Sequence, residues 1–164
     1  MLRGILTGAP VWVWPLLASL VLVGLLSMRA RVSRIWPFYL LPLLAILAIR
    51  AVAALHVTPE LWGLFGASYG AGAVLGWRVQ QRWIKGRDGS RIALSGEGLT
   101  LVMVLTIYFA NFAVGMMRAV APQVLAGTAF PFGFVLLVGL VSGIFLGRSL
   151  AIITAPRSGL PAQP

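Results

Sequence analysis

The sequence predicts an all-α protein, a polytopic bundle of about five transmembrane helices, and three observations predict it. Of the 164 residues, 60% are apolar and 10% charged, where soluble domains carry about 25% charge. Five apolar stretches are long enough to cross a bilayer, which takes roughly 17 to 25 residues. The thirteen basic residues lie between those stretches, as in the positive cytoplasmic loops of a membrane protein. One soluble core of this length could not hide so much apolar surface. Residues 1–164 therefore read as a single transmembrane domain.

The first stretch runs from Val11 to Met28, opened by Pro10 and closed by arginines. The others run from Ile35 to Leu55, Leu61 to Val79, Leu99 to Val120 and Phe130 to Ile153, and a flexible cytoplasmic tail is expected over 154–164. Pro59, Pro122, Pro131 and Pro156 fall at or near boundaries, where a missing N–H is tolerated. Pro15 and Pro42 lie inside stretches and mark early turns or kinks. Arg3 before the first apolar run resembles the start of a signal peptide. Cleavage there would carry Arg29, Arg31 and Arg34 across the membrane, so a retained anchor is expected.

Charge sets the expected orientation. Arg29, Arg31, Arg34, Arg78, Arg82, Lys85, Arg87, Arg91, Arg148 and Arg157 fall on one side of the predicted spans; Arg3, Arg50 and Arg118 fall on the other. That bias puts the N-terminus outside and the C-terminus in the cytoplasm. Trp12, Trp14, Trp36, Trp62, Trp77 and Trp83 all lie near span ends, as an aromatic belt requires.

The longest loop, between spans three and four, reads as a short cytoplasmic hairpin. Trp83–Gly86 and Arg91–Leu94 flank Arg87-Asp88-Gly89-Ser90. With Asp88 and Gly89 as the central pair of a type I′ turn, Trp83 opposes Leu94 and Lys85 opposes Ile92. Arg29, Arg31, Arg34, Arg82, Lys85, Arg87 and Arg91 are the candidates for contact with anionic lipid phosphates. The alternative is a disordered basic loop, since an isolated hairpin is marginal in water.

Two helices carry small-residue stripes. Gly63, Gly66 and Gly70, then Gly72 and Gly76, recur on span three; Gly139, Gly143 and Gly147 recur every four residues on span five. Such stripes let helix backbones approach closely. Packing within the bundle is one reading, and a homo-oligomer interface on span five is the other. Span four carries the most polar face: Tyr108, Asn111, Gly115 and Arg118 share one side. With Arg50 near the same membrane surface, they are candidates to line an outward cavity for an anion or lipid head group. The plain alternative is that both arginines snorkel to phosphates or pair with Glu60 while Asn111 bonds another helix.

Other chemistry is disfavoured. The net charge is +10, but no nucleic-acid reader motif accompanies it. The chain has no cysteine and one histidine, His56, so neither a metal site nor a haem or other cofactor is expected. Its carboxylates, Glu60, Asp88 and Glu97, all read as loop residues, which disfavours proton-coupled transport. Ser68 and Ser142 lie in spans without a histidine base at hand, so an enzyme is not expected.

The run Ile5-Leu6-Thr7-Gly8-Ala9-Pro10-Val11-Trp12-Val13-Trp14, the stretch Tyr108–Gly115 and the ending Gly139–Arg148 together resemble a family of small five-helix bacterial inner-membrane proteins. That family is classed only as a domain of unknown function, and the resemblance covers most of the chain. It implies no activity, substrate or site residue. Members often carry a histidine after the N-terminal threonine, where this chain has Gly8. The expected function is a non-enzymatic structural, assembly or partner-binding role. The alternative is a small oligomeric channel or uniporter for an anion or lipid head group.

Overall fold

The computed structural model describes residues 13–157. Helix α1 (Val13–Ser27) leads into strand β1 (Arg31–Arg34), a 3-10 segment (Trp36–Leu43) and α2 (Leu44–Ala53). Then follow α3 (Pro59–Gln81), the hairpin of β2 (Ile84–Asp88) and β3 (Arg91–Leu94), α4 (Leu99–Val120), the short α5 (Pro122–Ala126) and α6 (Ala129–Ile153). The expected first-span opening with Arg3, Pro10, Val11 and Trp12, and the tail beyond Arg157, lie outside the described residues.

The molecule is mostly helical, and two helices, α4 and α6, are long and apolar enough to cross a membrane. α3 has 23 residues but is less apolar, with five glycines, Arg78 and the Gln80–Gln81 pair. The apolar helices Trp14–Ser27 and Phe38–Ala53 are shorter. α4 has the bounds expected from the sequence, because its apolar run is interrupted at both ends by glycine or proline.

The stretch from Ile35 to Leu55 departs from the expected continuous helix. It is a 3-10 segment followed by only ten α-helical residues. Pro37 and Pro42 supply the reason, since neither has an N–H to give to an α-helical ladder. In an α-helix the carbonyl left orphaned by Pro42 would be that of Phe38. Ser149 Oγ, from α6, donates to Phe38 O at 2.5 Å. A hydroxyl in the neighbouring helix thus serves the backbone group that the proline leaves without its α-helical donor.

α6 is the centre of the bundle. It is apolar on all sides, as buried helices are, and more than half of its apolar stretch is buried, where little of α4 is. Its main partner is α3, and glycines on both helices make the contact. A Cβ built on Gly72 or Gly76 would overlap the backbone of Leu140 or Ile144; one on Gly143 or Gly147 would overlap the carbonyl of Tyr69 or Ala73. A Cβ on Gly139 would run into Ser68 Oγ. The stripe on α6 is therefore spent within the chain, against the Phe65–Trp77 side of α3. Gly66 and Gly70 are not part of this seam: a Cβ on either would meet nothing within 4 Å. Their inclusion with the packing glycines is corrected, because they occupy another side of α3 from Gly72 and Gly76.

The connection between α3 and α4 supplies two strands of a three-stranded antiparallel sheet in the order β1–β3–β2. β1 occupies the basic stretch that follows the first apolar run. It pairs along β3, Arg31 opposite Leu94 and Arg34 opposite Arg91. The hairpin itself is present with a different turn. Asp88 opposes Arg91 and Arg87 opposes Ile92, so Gly89 and Ser90 are the central residues. Gly89 has φ +50° and Ser90 is not in the positive-φ region, a pattern that fits a II′ turn, with glycine first, rather than I′. A bulge between Ile84 and Gly86 then resets the register, so that Ile84 opposes Leu94. The sheet packs on the C-terminal end of α6 through Ile35, Ile92, Ile152 and Ala155, with Ile84 and Leu94 against them.

Candidate functional site: a buried ion pair beneath the sheet

Near the sheet, three helix ends converge on one guanidinium. Arg148 lies on α6, within two turns of its end, and is buried along with the rest of that helix. An arginine there must find partners, because an isolated charge taken out of water is strongly disfavoured. Its Nη2 forms an ion pair with Glu97 Oε1, each side chain being 8% exposed. Its Nε donates to Gln80 Oε1 at 2.8 Å, on the last turn of α3, and its Nη1 to Thr100 Oγ1 at 3.0 Å, in the first turn of α4. The guanidinium carbon also lies 6.0 Å from the Trp83 ring centroid, at the outer limit of a cation–π contact.

Glu97 is held from both sides. Thr100 Oγ1 donates to the same Oε1 at 2.7 Å. The backbone N–H of Glu97 donates to Ser27 O at 3.1 Å, and Ser27 Oγ donates toward both Gly24 O and Glu97 O. The end of α1 is thereby laced to the start of α4. The approach is close enough that a Cβ on Gly96 would overlap Met28 O, and one on Gly24 would lie 2.8 Å from Leu101 Cβ. The second carboxylate oxygen, Oε2, is buried without a hydrogen-bond partner among the described residues. Beside this cluster is a cavity of about 130 Å³, lined by Glu97, Arg148, Thr100, Ser27, Ser95 and Arg29, with Phe38 and Phe145 among its apolar walls.

A family model covers residues 1–163, hence every residue of this cluster, and describes a family of unknown function. The chain belongs to DUF6622. No curated protein and no solved structure matches it. Membership in DUF6622 agrees with the uncharacterised family that the resemblance indicated, and it assigns no chemistry to Arg148 or Glu97.

The residues singled out in the sequence have other positions. Asn111 is exposed and its Nδ2 donates to Ile107 O at 2.9 Å, one turn back on its own helix. Tyr108 stacks on Phe112 and meets Phe109 edge-on, all within α4. Arg118 Nη2 donates to Ala54 O at 3.2 Å, at the end of α2, where a helix C-terminus favours a cation. Arg50 is exposed in the last turn of α2. Arg118 therefore meets a helix end rather than Glu60.

Among the basic residues, Arg29, Arg34, Arg82, Lys85 and Arg91 are exposed, and Arg31 sits in β1. Arg87 is different and is corrected: its Nη1 donates to Ile153 O at 2.5 Å and to Ala155 O at 3.0 Å, capping the end of α6. Of the carboxylates expected in loops, Glu97 does lie between β3 and α4, though paired and buried, whereas Glu60 is in the first turn of α3 and Asp88 ends β2. The available signal was positional. In the sequence Gln80 directly follows the third apolar stretch, Glu97 precedes the fourth and Arg148 stands near the end of the fifth, so an up-and-down bundle would bring all three to one end.

Proposed function

We propose that the protein is a multi-pass membrane protein of a bacterial inner membrane with a non-enzymatic structural, assembly or partner-binding role, and that its basic sheet rests on anionic lipid head groups at the cytoplasmic face. In this reading about five segments are embedded, the N-terminus is outside and the C-terminus is cytoplasmic. Support comes from the outward apolar side chains of α1, α2 and α4, among them Leu22, Leu47 and Val102, each more than half exposed. A bilayer would cover them; water would not.

One observation carries the role of the sheet. Arg34 and Arg91 stand directly opposite each other on neighbouring strands, and both are exposed. Like charges in that relation repel, and a phosphate between them would relieve the repulsion. Each basic residue near an anionic leaflet contributes about 1 kcal/mol of attraction. The test is thermal unfolding in nanodiscs of phosphatidylcholine with and without phosphatidylglycerol. The wild type should be more stable with the anionic lipid, and the gain should shrink with salt and in the Arg34→Ser, Arg91→Ser double variant. An equal gain in the double variant would reject the sheet as the contact.

A second reading is favoured by the exposure of α4, which turns Asn111 and Gly115 outward. Copies assembled around α4 would bring these positions together as the lining of an anion path. Native mass spectrometry in mild detergent, with liposome flux for wild type and Asn111→Leu, tests it. A monomer without flux would remove this reading.

A further inference from the structure

We propose that the cavity beside Glu97 binds a primary ammonium joined to a phosphate, the chemistry of the ethanolamine phosphate head group. The argument begins with one atom. Glu97 Oε1 already takes hydrogen bonds from Thr100 and from Arg148, whereas Oε2 is buried with no donor among the described residues. Buried carboxylate oxygens are rarely left so, because the lost hydration is not replaced. A donor from outside the chain would supply it. The terminal torsion of a glutamate is broad, so a small rotation of the carboxylate adjusts Oε2 to an occupant of the cavity that Glu97 lines.

The cavity decides what kind of donor. At about 130 Å³ it holds more than one water, since about 10 to 15 Å³ on the same measure suffices for one. A bare hard cation would want several carboxylate or carbonyl oxygens. Among the described residues no group of three His, Asp or Glu side chains gathers anywhere, and Glu97 is already paired with Arg148. A simple anion would set its own charge against Oε2. An ammonium gives N–H donors to Oε2, while a phosphate on the same molecule finds Arg29, which lines the cavity and is otherwise exposed. Phe38 and Phe145 are apolar walls for the two methylenes between them. The occupant is thus zwitterionic, with its positive end directed inward. A choline head group fails on chemistry alone: three methyl groups replace the N–H donors.

The inference goes beyond the contact of the sheet with anionic lipid, and loss of that contact would leave it standing. The head group has two sources, a lipid or a soluble molecule, and the experiment separates them. The full chain in detergent is titrated with free phosphoethanolamine and with phosphocholine. In parallel its unfolding is followed in nanodiscs of phosphatidylethanolamine or phosphatidylcholine at equal phosphatidylglycerol, so that the basic sheet meets the same charge. The expected result is a Kd at least about tenfold lower for the ethanolamine form, the scale of one hydrogen bond to a charged acceptor, or a higher Tm in ethanolamine lipid alone if the source is the membrane. Ser95→Leu, which fills the cavity and leaves the ion pair intact, should abolish the preference. Equal behaviour of the two head groups in both arms would overturn the proposal, and so would a preference that survives Ser95→Leu.

Discussion

Arg148 and Glu97, 51 residues apart in sequence, form the ion pair that ties α6 to the start of α4 beneath the sheet. Both side chains are nearly out of solvent, so the pair is governed by desolvation as much as by attraction. Removing one partner leaves the other charge buried and alone, whereas removing both can be nearly neutral.

That asymmetry gives the first prediction. Glu97→Gln and Arg148→Met should each lower stability by about 3 to 5 kcal/mol. The double variant should recover a large part of the loss. Chemical or thermal unfolding of all four proteins in one detergent measures the coupling. Additive losses would mean that the two charges do not depend on each other.

The glycine seam gives the second. A Cβ at Gly143 would overlap Tyr69 O, while one at Gly66 would meet open space. Gly143→Leu should therefore cost about 1 to 3 kcal/mol as the helices are forced apart. Gly66→Leu should be close to neutral, apart from the helix propensity it gains. Thermal aggregation onset in detergent compares the two, and indistinguishable onsets would show that the seam is not a tight contact.

Arg87 supplies the third. Its two hydrogen bonds to Ile153 O and Ala155 O close the end of α6 onto the sheet. A charged donor to a backbone carbonyl is worth about 1.5 to 3 kcal/mol. Arg87→Ala should speed amide exchange in the last turn of α6 and in β2, while Arg82→Ala, an exposed change, leaves exchange there as in wild type. Hydrogen exchange read by mass spectrometry resolves these segments. Unchanged protection in Arg87→Ala would remove the cap from the account.

Orientation is the fourth. With ten basic residues on one side of the predicted spans and three on the other, alkaline phosphatase fused after Pro164 should be inactive. The same enzyme inserted in the 121–128 connection should be active. The reverse pattern would invert the topology and move the basic sheet to the outer surface.

Local chemistry made part of this molecule legible in the sequence. α4 needs only a sustained apolar run with breaks at each end, and its bounds follow from residues within the helix. The hairpin needs only a Gly-containing turn between two short runs, so its existence was readable from Arg87 to Arg91. Even there the turn was misplaced by one residue, because the bulge at Lys85 and the packing of Ile92 on Ile152 select the register and neither is visible locally.

What tertiary structure decided depends on groups far apart in the chain. β1 is a strand only because β3 arrives beside it some 60 residues later; four residues such as Arg-Val-Ser-Arg bury too little to define a strand by themselves. The glycines of α3 look alike in sequence, and only the approach of α6 separates Gly72 and Gly76, where backbones touch, from Gly66 and Gly70, where nothing does. Glu97 reads as a loop charge and Arg148 as one near the end of an apolar stretch, and only the packing of the helices brings them together. Apolar periodicity records which residues leave water. It does not record which polar residues must leave water with them, because that is settled by the partners each one finds in space.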